Sequence, residues 1–349
     1  MKTVVFRILI LLWGLFLGLL SAELVCKFLD LRSASHYQKV SGAISRPSRI
    51  PDVRFELIPG ASGITPGQDK VIRVNANGFR GPEIPMPKPP DLFRIAVLGD
   101  SIAFGRTLDE HEVFPYQLPA LLQERVPGRS FDVVNASLSG RDTWEEVALL
   151  EHRVLDLDPD LVILQVCLND HIRFPPPDPS RRRGAFGERP WYSYSSLLDL
   201  LDRKSPRFRE WHVAAAERLG FDMRSPGEVL QDYALDMRHI HNIAPNWAAW
   251  HPQFLRARDL CRRHGAVLLI AVFPTARILN QADADSTIPE LTDLARNNGI
   301  PLVDLLQPFR NAGQPVLTDY THPNAPGHRL AAETLADAVV RRIPALRAD

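Results

Sequence analysis

A chain of 349 residues with 45% hydrophobic and 23% charged residues can bury a sizeable core, which excludes a disordered protein. Lysine plus arginine equal aspartate plus glutamate at 41 each, so no global field favours nucleic acid or any strongly charged partner. Three cysteines, Cys26, Cys167 and Cys261, are too few for a disulfide framework.

Lys2 and Arg7 precede an apolar run from Ile8 to Ala22. Extended to Val4–Val25, the run approaches the ~20 apolar residues that a spanning helix needs. Residues 1–25 are therefore expected to be a membrane anchor. The other reading is a signal peptide cleaved near Leu20-Ser21-Ala22. Basic residues flank both sides (Lys2 and Arg7 before, Lys27, Arg32 and Lys39 after), so charge does not set the orientation. The signal-like layout predicts that the main domain lies outside the cytoplasm, periplasmic or at the cell surface, or is secreted if cleavage occurs.

Residues 26–91 read as a membrane-proximal segment and linker. Val71 to Asn75 alternates as a short strand, Asn77-Gly78 is a turn signal, and five prolines between Pro82 and Pro90 exclude a helix. From Arg94 the pattern becomes strand and helix in alternation. Arg94–Leu98, Phe131–Asn135, Asp160–Val166, Ala266–Phe273 and Ile300–Val303 are strand candidates. Helices are expected over Glu112–Arg125, kinked or interrupted at Pro119, over Thr143–Leu155 and over Ala325–Arg342. Apolar strands separated by helices predict a parallel sheet covered on both faces. The domain is expected to span residues 92–345. About a hundred residues separate the third and fourth strands, against a usual connection of a few residues. Residues 171–246 are thus an insertion, with helical stretches near 195–204, 206–219 and 226–240. It follows a strand end where open α/β sheets bind ligands. Trp191, Trp211, Trp247 and Trp250 fall in or just after it. Each tryptophan taken alone reads as packing the insertion onto the sheet. Arg181-Arg182-Arg183 reads as a solvated loop, and no nucleic-acid partner is expected.

Gly99-Asp100-Ser101 follows the first buried strand and opens a helix, where unpaired N–H groups favour developing negative charge. Alanine at position 103 departs from the Gly-x-Ser-x-Gly elbow. Asp319-Tyr320-Thr321-His322 precedes the last helix. A nucleophilic serine needs a base, and the base needs an orienting carboxylate. Asp and His three residues apart in a turn can supply both. Gly140 and Asn169 follow the second and third strands, where an oxyanion hole needs donors. His171 is a candidate pocket residue, His328 a packed residue, and Asp100 a hydrogen-bonding residue of the turn. His239 and His241 lack companion metal ligands.

Together these segments resemble the SGNH hydrolases, the GDSL esterase and lipase superfamily, over roughly residues 92–343. Gly99-Asp100-Ser101, Gly140, Asn169 and Asp319 with His322 match its four blocks. Asn75-Ala76-Asn77-Gly78-Phe79-Arg80-Gly81 resembles a stretch upstream of the nucleophile in a membrane-anchored, exported bacterial branch. The resemblance implies a flavodoxin-like three-layer α/β/α sandwich with a five-stranded parallel sheet, and no metal or organic cofactor. It implies Ser101, Asp319 and His322 as a triad, and Ser101, Gly140 and Asn169 as the oxyanion hole. Cys167 stands where the third block usually has glycine. The expected activity is hydrolysis of a carboxylic ester, an acylated glycan or a small acyl ester. Two other readings remain: acyl transfer to a sugar hydroxyl by the same triad, and a non-catalytic binding protein on this scaffold.

Overall fold

A computed structural model of the chain describes residues 2–28, 44–64, 70–105, 107–173 and 242–343, with a few single positions between 197 and 211. The helical stretches expected between 195 and 240 fall almost wholly outside these residues, as do Trp191, His239 and His241.

Five strands form the central sheet: β5 (Leu92–Leu98), β6 (Ser130–Asn135), β7 (Leu161–Val166), β8 (Val267–Val272) and β9 (Leu302–Asp304). All neighbours are parallel, in the order β6-β5-β7-β8-β9. The runs Leu161–Val166 and Val267–Val272 are apolar almost throughout because both faces of their strands are covered. On one face, Ala96, Leu98, Val162 and Leu164 pack with Val147, Phe254 and Leu291. On the other, Ile95, Val97, Leu161 and Ile163 pack with Leu118, Leu335 and Val339. The result is a flavodoxin-like three-layer α/β/α sandwich.

The helices are α1 (Lys2–Phe28), α2 (Ser101–Phe104), α3 (Phe114–Arg125), α4 (Thr143–Leu149), α5 (Ala244–Arg263), α6 (Ala276–Leu279), α7 (Pro289–Asn297), α8 (Leu306–Arg310) and α9 (Ala325–Arg342). Helix α3 continues through Pro119 without an interruption. Pro119 lies in the second turn, so its missing N–H costs one early hydrogen bond, while Leu118, Leu121 and Leu122 bury the face. Helix α4 runs on into a π-turn over Leu150–Val154. Helix α5 carries Trp250, which is fully buried among Thr143, His171 and Phe254. That tryptophan is core, as the packing reading holds.

Two antiparallel hairpins precede the sheet: β1 (Ser45–Pro47) with β2 (Phe55–Leu57), and β3 (Ser62–Ile64) with β4 (Val71–Arg73). They share a small core of Ile44, Leu57, Ile72 and Val74 with Phe104 of α2. Arg80 then bridges to Asn135 at the end of β6.

Helix α1 has 27 residues, a length of about 40 Å against the ~30 Å hydrocarbon thickness. Its window Leu9–Cys26 has mean hydropathy 2.2 and is 6% buried. By length and composition it can cross a membrane.

Candidate active site

The strand order reverses at β5, with β6 on one side and β7 on the other. In open α/β sheets the ligand crevice lies at such a switch point, outside the carboxyl ends of the strands. Ser101 sits there, at the first position of α2.

The turn into α2 is over-determined. Asp100 caps the helix, its Oδ1 accepting from Ile102 N at 2.8 Å. Gln165 of β7 reaches across, its Oε1 accepting from Asp100 N at 3.1 Å and Ala103 N at 3.2 Å. Gly99 leaves room for that amide, since a Cβ there would lie 2.4 Å from Gln165 Oε1. Gln165 carries a sequence signal of its own, as the one polar residue in the run Leu161–Val166. Gly105 ends the helix at φ +64, with its amide bonded to the carbonyls of Ser101 and Ile102.

The second segment is a tight loop ahead of α9. Thr318 N donates to His322 O at 2.8 Å, and Asn324 N donates to Val316 O at 3.0 Å. The Asn324 side chain accepts from Gly327 N and caps α9. Gly327 meets the loop so closely that a Cβ would lie 2.1 Å from Val316 O. Within the loop, Asp319 Oδ1 accepts from the amides of Thr321 and His322, both at 2.9 Å.

These two segments meet. Ser101 Oγ and His322 Nε2 lie 2.7 Å apart, and His322 Nδ1 lies 2.8 Å from Asp319 Oδ2. With the Nδ1 proton directed to Asp319, Nε2 is left to accept from the serine. Burial opposes ionisation of Asp319, but the two backbone amides and the imidazole outweigh it and hold the carboxyl below its ordinary range. A narrow cleft of about 30 Å³ opens beside Ser101, lined by Gly105, Thr107, Leu108, His322, Pro323 and His328 among others.

Gly140 and Asn169 follow β6 and β7, the strands flanking β5. Gly140 takes φ +80, a conformation that glycine adopts without strain. Asn169 Nδ2 donates one hydrogen to Asp100 Oδ2 at 3.2 Å, which ties it to the nucleophile turn. Neither residue lines the narrow cleft itself. The Cys167 side chain is buried in the core, and burial pushes its thiol well above the usual range. It neither fills the crevice nor offers a thiolate. His171 is buried, pairing with Asn246 at 2.9 Å and packing on Trp250, and is not part of the cleft wall. His328 accepts from Phe114 N at 3.3 Å. Burial, with Arg80 and His322 nearby, lowers its pKa to about 3 and keeps it neutral.

Beneath the crevice lie Asp100, Asp142, Glu146 and Asp170, all buried. Burial, then the charge of Asp100, pushes the carboxyls of Glu146 and Asp170 well up. Neither Glu146 oxygen has a hydrogen-bond partner among the described residues. A carboxyl raised in the fold binds more protons folded than unfolded, so stability falls as pH rises from the ordinary carboxylate range through the raised value. Glu146→Gln, which mimics the protonated form, is expected to raise Tm by a few degrees at pH 8 and to change it little at pH 5. Thermal denaturation at the two pH values checks this, and a lower Tm at both would contradict it.

A model of the GDSL-like lipase/acylhydrolase family matches residues 97–330, two thirds of the chain. The chain belongs to this family. An arylesterase of Vibrio mimicus is 36% identical over 84 residues, a stretch covering 24% of this chain and 41% of that protein. The chain thus matches less than half the length of that relative. Among solved structures, a TesA crystal structure has TM-score 0.42 and 16% identity, covering 70% of this chain and 97% of its own. An acetylxylan esterase of Geobacillus stearothermophilus has TM-score 0.41 and 16% identity, covering 72% of this chain and 94% of its own.

Proposed function

We propose that this GDSL-like family member hydrolyses carboxylic esters through an acyl-enzyme on Ser101. The observation that carries the reading is the unbroken relay from Ser101 Oγ to His322 Nε2 at 2.7 Å and from Nδ1 to Asp319 at 2.8 Å. Ser101 attacks the acyl carbon as His322 takes its proton. Asp319 holds the tautomer and stabilises the imidazolium. The amides of Ser101 and Gly140 and the second amide hydrogen of Asn169 receive the oxyanion. His322 returns its proton to the leaving alkoxide. Water, activated by the same imidazole, then releases the acid.

The cleft of about 30 Å³ beside the nucleophile favours a short acyl group. With p-nitrophenyl acetate, butyrate and octanoate, kcat/KM is expected to fall along the series, octanoate at least about tenfold below acetate, an excluded chain costing a few methylenes of burial. Equal turnover of octanoate would contradict the short-acyl reading. Helix α1 serves as an anchor that holds the catalytic domain at the outer face of a membrane, where O-acyl groups of a surface glycan are a fitting substrate.

A further inference from the structure

We propose that two arginines of the segment ahead of the sheet, Arg80 and Arg54, are positioning residues, one for the nucleophile helix and one for the oxyanion loop. The inference rests on Ser101 being the nucleophile.

Arg80 is 1% exposed, yet no carboxylate pairs with it among the described residues. Its Nη1 donates to the carbonyl oxygens of Phe104 and, at 2.8 Å, Gly105, and its Nη2 donates to Leu108 O at 3.0 Å. The guanidinium also lies over the Phe104 ring, 5.2 Å from its centroid. These carbonyls belong to the last turn of α2 and the loop beyond it, and Gly105 and Leu108 line the cleft. One planar fork thus takes the carbonyl of the helix's last residue, Phe104, together with those of Gly105 and Leu108 just beyond it, while Ala103 O accepts from Asn135 Nδ2 at 2.9 Å. A helix that short has little stability of its own. Its aim depends on what holds its two ends: Gln165 and Asp100 at the start, and Arg80 at the finish.

Arg80 is itself fixed from behind. It bridges Val74 and Asn135, and its carbonyl accepts from Tyr116 Oη at 2.6 Å. Gly81 allows the approach, since a Cβ there would lie 2.6 Å from the tyrosine ring. The Arg80 Nε has no acceptor among the described residues. A buried cation with an unmet donor and no carboxylate in ion-pair contact among the described residues is a poor stabilising device, because desolvation opposes it and the charges of Glu110 and Asp109 act only from a distance. Its placement is accounted for by what it aims.

Arg54 acts on the other flank. Its Nη2 donates to Gly140 O and pairs with Glu145 of α4, while its own amide donates to Glu145 Oε1 at 2.7 Å. It therefore pins the peptide that follows the glycine whose N–H faces the developing oxyanion in the proposed reaction.

The test uses the full chain with Arg80→Gln, Arg80→Lys and Arg54→Lys. Arg94→Lys is the control. Arg94 is equally buried but holds Asp132, Leu157 O and Pro85 O near the start of β5, away from Ser101. The readouts are kcat and KM for p-nitrophenyl acetate, the rate of fluorophosphonate labelling and Tm, with all assays run well below each Tm. Arg80→Gln is expected to lower kcat and labelling about 10- to 100-fold with KM within about twofold, the scale of a 1 Å misplacement. Arg80→Lys, which keeps the charge but not the fork, should recover part of that loss. Arg54→Lys should lose several-fold in kcat. Arg94→Lys should move Tm alone. Wild-type labelling by a folded Arg80→Gln overturns the proposal, as does activity falling in the same proportion to Tm at positions 80 and 94. If Arg80→Gln does not fold, wild-type kcat in both Arg80→Lys and Arg54→Lys overturns it. Ser101→Ala separates the premises: turnover that survives it sinks the nucleophile assignment, whereas its loss beside normal arginine variants sinks only this inference.

Discussion

Ser101→Ala is expected to lower kcat for p-nitrophenyl acetate by about 10⁴- to 10⁶-fold, the range found when the nucleophile of a triad is removed. The fold should survive. Ser101 Oγ makes its hydrogen bond to His322, whereas the turn around it is held by backbone groups, Gln165 and Asp100. His322→Ala should cost a similar factor, and the double variant little more than either single one. That non-additivity is the signature of residues acting as one unit. Steady-state kinetics on the three variants, with circular dichroism to check the fold, measure it. Two independent, multiplying losses would mean that serine and imidazole do not act together.

The second large effect is that of Asp319→Asn, expected to cost about 10³- to 10⁴-fold in kcat with KM nearly unchanged. An amide can still accept from the backbone amides of Thr321 and His322, so the loop keeps its shape. What is lost is the charge opposite His322 Nδ1, and with it the tautomer that leaves Nε2 as acceptor. The variant also has a stability signature. The carboxyl of Asp319 is held below its ordinary range in the fold. Its contribution is therefore present above the ordinary carboxylate range and lost as pH falls through the lowered value. The side chain is 52% exposed, so solvent screens that contribution and the change in Tm is small. Any Tm advantage of the native protein over Asp319→Asn should shrink in strongly acid solution, while the kinetic deficit persists at neutral pH. A variant with near-native kcat would remove Asp319 from the machinery.

Much of this was legible in the sequence because the signals were local or paired. Val97-Leu98 into Gly99-Asp100-Ser101 reads as strand, sharp turn and helix start, and β5 and α2 occupy those positions. The closing helix runs over Ala325–Arg342, where Asn324 and Pro326 mark its first turn. Cys167, which left a doubt at the third block, is core, since its side chain follows the inward register of an apolar strand. Other features depended on tertiary partners that no local pattern names. The proline-rich approach to the sheet carries composition cues for a linker, yet Pro85 O and Pro82 O accept from Arg94 and Asn75. Nothing in the stretch Asn75–Gly81 names the partners of Arg80, the carbonyls of Phe104, Gly105 and Leu108. Helix α5 was hidden by the long insertion, although Trp250, Phe254, Ala257 and Cys261 recur at helical spacing along its buried face.

The most direct test of the nucleophile assignment is to react the full chain with a fluorophosphonate and map the adduct by mass spectrometry. A single adduct on Ser101, absent from Ser101→Ala and greatly slowed in His322→Ala, is the predicted result. A folded chain that takes no adduct, or takes it at another residue with Ser101→Ala labelled as fully as the native protein, would contradict the assignment.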